Sequence, residues 1–264
     1  MMRFFLGLLA AAALAAQTQE QHGKRVVDEA LAALGGERFL AMADRVEAGR
    51  AYSFYREALS GLSRTTISTR YLRRPEPPVA GKLAVRERQS FGDNEDRGAV
   101  LFTDGQGYEI TFRGARPLAK ETLERYREST LHNFLYILRQ RLGEPGLIFE
   151  SRGSELREGQ RVEVVDITDA DNRVVTVYFH ALTKLPVRQV FYRRDPKTRE
   201  RIEEVTIFSK YRDVGGVQWP FVIQRERNGE KIFEMYSETV RVNQGLTDEL
   251  FLLPADMKIL KPLR

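Results

Sequence analysis

The chain has 264 residues, 30% charged and 42% apolar, and its 42 Lys and Arg against 37 Asp and Glu leave a net charge of +5. That length supports one large domain or two small ones, and the mixed charge beside a large apolar share excludes a disordered chain. The absence of cysteine excludes a disulfide framework, a thiolate zinc site, a cysteine nucleophile and a lipid-modified N-terminal cysteine, and so small a basic excess without a clustered patch argues against nucleic acid as a partner.

Residues 1–16 read MMRFFLGLLAAAALAA. Arg3 supplies a positive start, Phe4 to Ala16 is uninterruptedly apolar, and Ala13-Leu14-Ala15 has the small-x-small pattern that a signal peptidase accepts. The run is shorter than the roughly 20 residues a membrane span needs. The expectation is a signal peptide over 1–16 and a single exported, periplasmic domain over 17–264.

Lys24 to Leu34 carries Val26, Val27, Ala30, Leu31 and Leu34 at helical spacing, and Gly35-Gly36 ends it. Glu37 to Ala43 allows a short second turn. From Arg45 the period shifts towards two, with strands expected over Val46–Leu59, Arg64–Arg73 and Lys82–Phe91. Pro75, Pro77 and Pro78 mark a loop or a sheet edge. Gly92 to Asn94 reads as a turn, and Asp104-Gly105 between two apolar runs signals a hairpin. Pro117 to Leu142 reads as the strongest helix, charged in its first half and apolar in its second, LHNFLYILRQRL. That apolar half either packs on a sheet or forms a lid over a cavity. Beyond Gly146 seven strands alternate with turns at Glu158-Gly159, Asp169 to Asn172, Asp195-Pro196, Gly215-Gly216 and Asn228-Gly229. No linker, repeat or low-complexity tract interrupts them, so one α+β domain is expected, its antiparallel meander curling into a sandwich or an open barrel.

Residues for chemistry are sparse. His22, His132 and His180 are not at metal-ligand spacing, and His132 reads as a helix-surface or packing residue. DITDADNR, with Asp166, Asp169 and Asp171, lacks the glycine and downstream glutamate of a calcium loop and reads as a solvated turn. There is no nucleophile elbow, P-loop or dinucleotide fingerprint. Glu203 and Glu204 point to opposite faces of a strand. No catalytic residue, metal or cofactor is therefore assigned. Arg70, Arg73 and Arg74 around Tyr71, and Arg193, Arg194 and Lys197 at a turn, combine basic and aromatic residues as single-strand binders do, but in an exported chain they read as solvated strand faces, or as weak attraction to anionic lipid head groups at a membrane surface.

The C-terminal third carries a resemblance. Phe208 to Pro220 has an F-x-x-Y-R strand end, a D-V-x-G-V turn and an aromatic-proline strand entry. Thr183-Lys184-Leu185-Pro186-Val187-Arg188 matches a T-x-L-P-V-R entry, and Val242 to Pro254 a V-N-x-x-L-x-D-x-L-F…P ending. Ala33-Leu34-Gly35-Gly36 before a short helix also fits. Together these resemble the outer-membrane lipoprotein-sorting proteins of the LolA-like group. Where an acidic residue often precedes the T-x-L-P segment in that group, this chain has Phe179-His180-Ala181-Leu182.

The resemblance implies a strongly curved antiparallel sheet, a half-open barrel, with helices closing its concave face around an apolar cavity for acyl chains. It implies a non-catalytic periplasmic carrier or binding protein for lipid or lipoprotein acyl chains, with inner- or outer-membrane proteins as further partners. Tyr108, Phe112, Phe134, Leu138, Trp219 and Phe221 are the candidate ligand-binding residues, each of which core packing would also explain. An envelope module that binds a protein partner and an exported hydrolase with a dispersed site remain the alternatives.

Overall fold

The structure is a computed structural model describing residues 2–73, 82–92 and 98–262, with side chains from residue 18 onward. Its hairpins are set by turns whose two central residues both have positive φ, the geometry that matches strand twist. Asp104-Gly105 has φ of 48° and 81°, and Asn228-Gly229 50° and 82°. The same geometry at Arg56 (49°) and Glu57 (62°) splits the strand expected over Val46–Leu59 into β1 (Asp44–Tyr55) and β2 (Ala58–Tyr71). Neither residue signals a turn. The pairing of twelve β1 residues with β2 imposes it, against a left-handed backbone cost of about 1 kcal/mol per residue.

The chain continues through β3 (Val85–Phe91), β4 (Gly98–Thr103), β5 (Gln106–Thr111) and β6 (Gly114–Pro117). A helical crossover leads to β7 (Ile148–Arg157), β8 (Gln160–Thr168), β9 (Val174–His180) and β10 (Pro186–Arg194). The last three strands are β11 (Arg201–Val214), β12 (Val217–Arg227) and β13 (Glu230–Val242). All thirteen form one sheet in the order β6-β5-β4-β3-β2-β1-β13-β12-β11-β10-β9-β8-β7. Two meanders thus run outward and inward, and join where β1 pairs β13, Arg45 opposite Val242. The expected α+β class and curved antiparallel sheet are what the structure has. The expected proline loop (Pro75, Pro77, Pro78) and Asn94 lie outside the described residues.

Helix α1 spans Met2–Leu34 and α2 Glu37–Leu40. The side chains of 1–16, on which the signal-peptide expectation rests, lie outside the described residues. Among the described residues no helix is long and apolar enough to cross a membrane.

The helix expected over Pro117–Leu142 is broken. Pro117 ends β6, α3 covers Lys120–Leu131, and α4 (Phe134–Tyr136) runs into a π-helical turn over Ile137–Arg141. Asn133 is the cause: its side chain accepts from the Tyr136 N–H at 3.2 Å, starting a second helix in a new direction. Gln189 Oε1 takes the Phe134 N–H at 2.8 Å. The apolar half then plunges into the core, where Phe134, Leu138, Trp219, Phe179 and Phe208 pack with Val27 and Leu34 of α1. On the opposite face a smaller core of Leu101, Ile110 and Ala115 is covered by Phe251 from a 3-10 turn, Asp248–Phe251. The C-terminal tail ends as a bridge between Ile259 and Ala115, capping the β6 edge.

Arg141 holds the crossover. Its guanidinium donates to the Leu131 carbonyl at 2.7 Å, to Glu144 at 2.7 Å and to Asp169 at 2.7 Å. Asp169 also accepts from Arg173 Nε at 2.8 Å. The segment read as a solvated turn is therefore a turn whose Asp169 is buried, because two arginines compensate the desolvation of its charge.

Burial alone would raise the Asp169 carboxyl, but hydrogen bonds and charge from Arg141 and Arg173 outweigh it and hold it below its ordinary value. A carboxylate depressed in the folded state contributes stability above its unfolded pKa, about 3.9, and loses it as the pH falls through the folded value. Asp169→Asn is expected to cost about 3 kcal/mol at pH 7. The gap from wild type should close between pH 5 and 2 in urea unfolding.

A second expectation concerns Gly23, where an added Cβ would lie 2.4 Å from the Phe149 carbonyl oxygen of β7. Gly→Ala inside a helix ordinarily gains about 1 kcal/mol. Gly23→Ala should instead lower the melting temperature, because α1 would be forced off the sheet.

Candidate functional site

Helix α3 crosses the open side of the curled sheet as a strut. Near its middle Tyr126 stacks on Phe102 of β4, ring centroids 3.5 Å apart, and just past its end His132 stacks on Phe191 of β10 at 4.2 Å. These strands are far apart in the sheet order, so the two contacts span the half-barrel. His132 is buried, with Nδ1 2.7 Å from the Glu128 carbonyl, and burial holds its pKa below the usual value. It is a packing residue.

One end of the half-barrel is plugged by α4 and the π-turn. The Tyr136 hydroxyl accepts from the Ala84 N–H at 2.8 Å, Gln140 donates to the carbonyls of Leu72 and Ala84, and Arg139 donates to that of Met42 at 2.7 Å. Side chains of α4 and the π-turn thus bond the backbone just outside the ends of β1, β2 and β3.

Between strut, plug and sheet lies a cavity of about 370 Å³. A second, of about 240 Å³, adjoins it on the β10–β11 side and shares Gln89, Tyr126, Asn133 and Arg225. The larger one is graded along its length. Away from the plug its wall is mainly apolar, Ala51, Phe91, Ile232, Phe233 and Met235, with Thr65 opposite Phe91 and the exposed Arg225 opposite Phe233, its guanidinium 5.7 Å over that ring. Beside the plug it is polar: Arg45, Glu47, Thr69, Tyr71 and Glu87, with Trp219 among them. The Arg45 guanidinium lies 4.2 Å over the Trp219 ring and 3.4 Å from Glu47, whose other oxygen accepts from Ser237. Arg45 also donates to Thr69 at 3.2 Å, and Thr69 to Glu87 at 3.5 Å. Burial raises the phenols of Tyr71 and Tyr126, which stay protonated. The lining is therefore mixed, where the resemblance implies an apolar one. Among the described residues no group of three or more His, Asp or Glu could hold a metal ion.

Of the six candidate residues, Trp219 lines this cavity. Phe134, Leu138 and Phe221 lie buried in the adjoining core. Tyr108 is opposite Leu101 and packs with it on the other face of the sheet, under the C-terminal tail. Phe112 stands 81% exposed in the turn after β5, beside Arg113. The polar members were not signalled: Glu47 and Glu87 sit in strands whose alternation places charge outward, and only the pairing of distant strands shows that this face is the inside.

No protein-family model matches the chain, and no curated protein matches it in sequence. Solved structures do. The chain is similar over 87% of its length to a DUF1329 family protein from Desulfovibrio piger ATCC 29098, with TM-score 0.58, 13% identity and 97% of that chain covered. It is similar over 88% of its length to an outer membrane lipoprotein-sorting protein domain from Vibrio parahaemolyticus, with TM-score 0.55, 13% identity and 97% of that chain. A LolA superfamily protein from Nitrosomonas europaea matches over 87%, with TM-score 0.51, 12% identity and 97% of that chain. At these identities the likeness is one of fold, and it is the fold that the sequence motifs resemble.

Breaking the buried pair tests the polar wall. Glu47→Ala is expected to cost about 3–5 kcal/mol, since it strands a buried guanidinium, while Arg45→Met with Glu47→Leu should recover most of that in the same denaturant titration.

Proposed function

We propose that the chain is a carrier or binding protein for lipid or lipoprotein acyl chains in the cell envelope, working without catalysis. The observation that supports this best is the cavity under α3, walled at one end by Ala51, Phe91, Ile232, Phe233 and Met235. Such a wall rewards an alkyl chain by about 0.8 kcal/mol for each methylene taken out of water. The shared fold with a lipoprotein-sorting domain adds support, and the apolar run over residues 4–16 fits export to the periplasm. Loading would come from a membrane or from a membrane protein at the mouth of the half-barrel, and release would require α3 to lift from Phe102 and Phe191.

The test is occupancy of the cavity. Ser129, in its lining, is replaced by tryptophan to fill it. Ser129→Trp is expected to weaken binding of a fluorescent acyl ester at least tenfold while the unfolding midpoint stays within the range of surface variants. Organic extraction of protein purified from its native envelope should yield lipid by mass spectrometry. Recovery of none, with no probe bound, would overturn the reading.

A further inference from the structure

Three polar atoms of the cavity-lining residues have no hydrogen-bond partner among the described residues, and one of them, Arg45 Nε, lies 3.4 Å from the Glu47 carboxylate that compensates its charge. The indole N–H of Trp219 and the hydroxyl of Tyr126 are both buried without a hydrogen bond among the described residues. Trp219 is only 2% exposed, and both side chains line the larger cavity. A buried donor left unmade costs about 1–3 kcal/mol, so two around one cavity, one on the sheet and one on α3, mark a place where an acceptor belongs. The charges beside them are already arranged. Arg45 is engaged by Glu47, and Glu87 faces the same space with Thr69 and Gln89 as donors. The polar end thus holds two carboxylates and one guanidinium, which disfavours a carboxylate or phosphate there. The unfilled positions call for an uncharged acceptor such as an ester or hydroxyl oxygen.

Size narrows the ligand further. A methylene group is about the size of a water molecule, roughly 30 Å³ in the liquid, so 370 Å³ accommodates about a dozen such groups. That suits one chain rather than two or three. The gradient fixes orientation, since the polar wall lies beside the plug and the apolar wall lies away from it.

Building on the carrier reading, we propose that the larger cavity takes a single-chain amphiphile with an uncharged, hydrogen-bond-accepting head, inserted head first so that Trp219 Nε1 and Tyr126 Oη donate to the head and the chain runs out past Phe91 and Phe233. Trp219 is the chain's only tryptophan, so its fluorescence reads this site alone.

The probes are lauroyl glycerol, laurate, lauroyl lysophosphatidylcholine and a dilauroyl phospholipid, titrated against the full chain. Lauroyl glycerol should bind at least tenfold more tightly than the other three. Tyr126→Phe should weaken it about three- to tenfold by tryptophan fluorescence with an unchanged unfolding midpoint, and Trp219→Phe by a similar factor in competition with a fluorescent ester, with a lowered midpoint because a buried indole is cut from the core. Lauroyl glycerol brominated at carbon 2 should quench Trp219 more strongly than the same ester brominated at carbon 12. Equal or tighter binding of laurate or of either phospholipid, unchanged affinity in both variants, or stronger quenching from carbon 12 would overturn the head-first assignment while leaving a lipid carrier. Binding of none of the four would overturn the carrier reading itself.

Discussion

One guanidinium decides how the half-barrel is filled. Arg141 reaches the end of α3 through the Leu131 carbonyl, its own helix end through Glu144, and the β8–β9 turn through Asp169. An antiparallel sheet curled this far has an inner face that no second sheet covers, and a helix must enter to fill it. Where that helix stops determines what is core and what is cavity. With Arg141 clamped to Asp169, the apolar turn of Phe134 to Leu138 is driven deep between α1 and the β8–β11 wall. The charged half of the crossover is left to span the rest as α3. Buried ion clusters add little net stability over apolar packing, yet losing one member is costly. The cluster is therefore best understood as setting position, and the space under α3 is a consequence of that position.

The motifs that resemble the lipoprotein-sorting group prove to be contacts with one another. The Tyr211 hydroxyl, from the F-x-x-Y-R strand end, donates to the carbonyl of Pro186, from the T-x-L-P-V-R entry, at 2.8 Å. The Gly35-Gly36 helix end packs on the D-V-G-G-V turn: a Cβ at Gly216 would lie 2.2 Å from the Arg38 guanidinium. The ending that opens with Val242 and Asn243 is held by Asp44, whose carboxylate accepts the backbone N–H groups of Gln244, Gly245 and Leu246. Asp248 then pairs with Arg70 and Arg86 on the outer face. These residues fix how the sheet is closed at its corners and how the tail is tied across its back. They say nothing about a ligand.

Much of the architecture was legible because it is local. Period-two alternation and Gly- or Asn-bearing turns located the seven strands after the crossover nearly to the residue. The exceptions share a cause. Arg56-Glu57 turns because its strands pair, and Asn133 breaks a helix that its apolar spacing would continue, since a capping side chain and Gln189 from 55 residues away offer better partners. The site was legible in part. Trp219 was signalled as an aromatic on an apolar strand face. Arg45, Glu47 and Glu87 were not, because charge on a strand ordinarily means solvent, and here the inner face is set by pairings between residues far apart. Tyr108 belongs to a strand whose inward and outward sides depend on Leu101 and the tail, neither visible locally, and Phe112 falls in the turn just after that strand.

The strand order carries a consequence for how the molecule comes into being. Each meander is built from neighbours in sequence and can form as its hairpins close. The seam between β1 and β13 cannot, because it joins residues about two hundred apart, as in the bond from Ala43 to Asn243. Closing so long a loop carries an entropic cost that only the finished seam repays. The pair at the centre of the sheet in space is thus expected to form late, and until it does β1 and β13 are both open edges. During folding the molecule is two unfinished sheets with their central strands exposed, so chaperone contact and misassembly are concentrated at the one place that looks best protected in the native state.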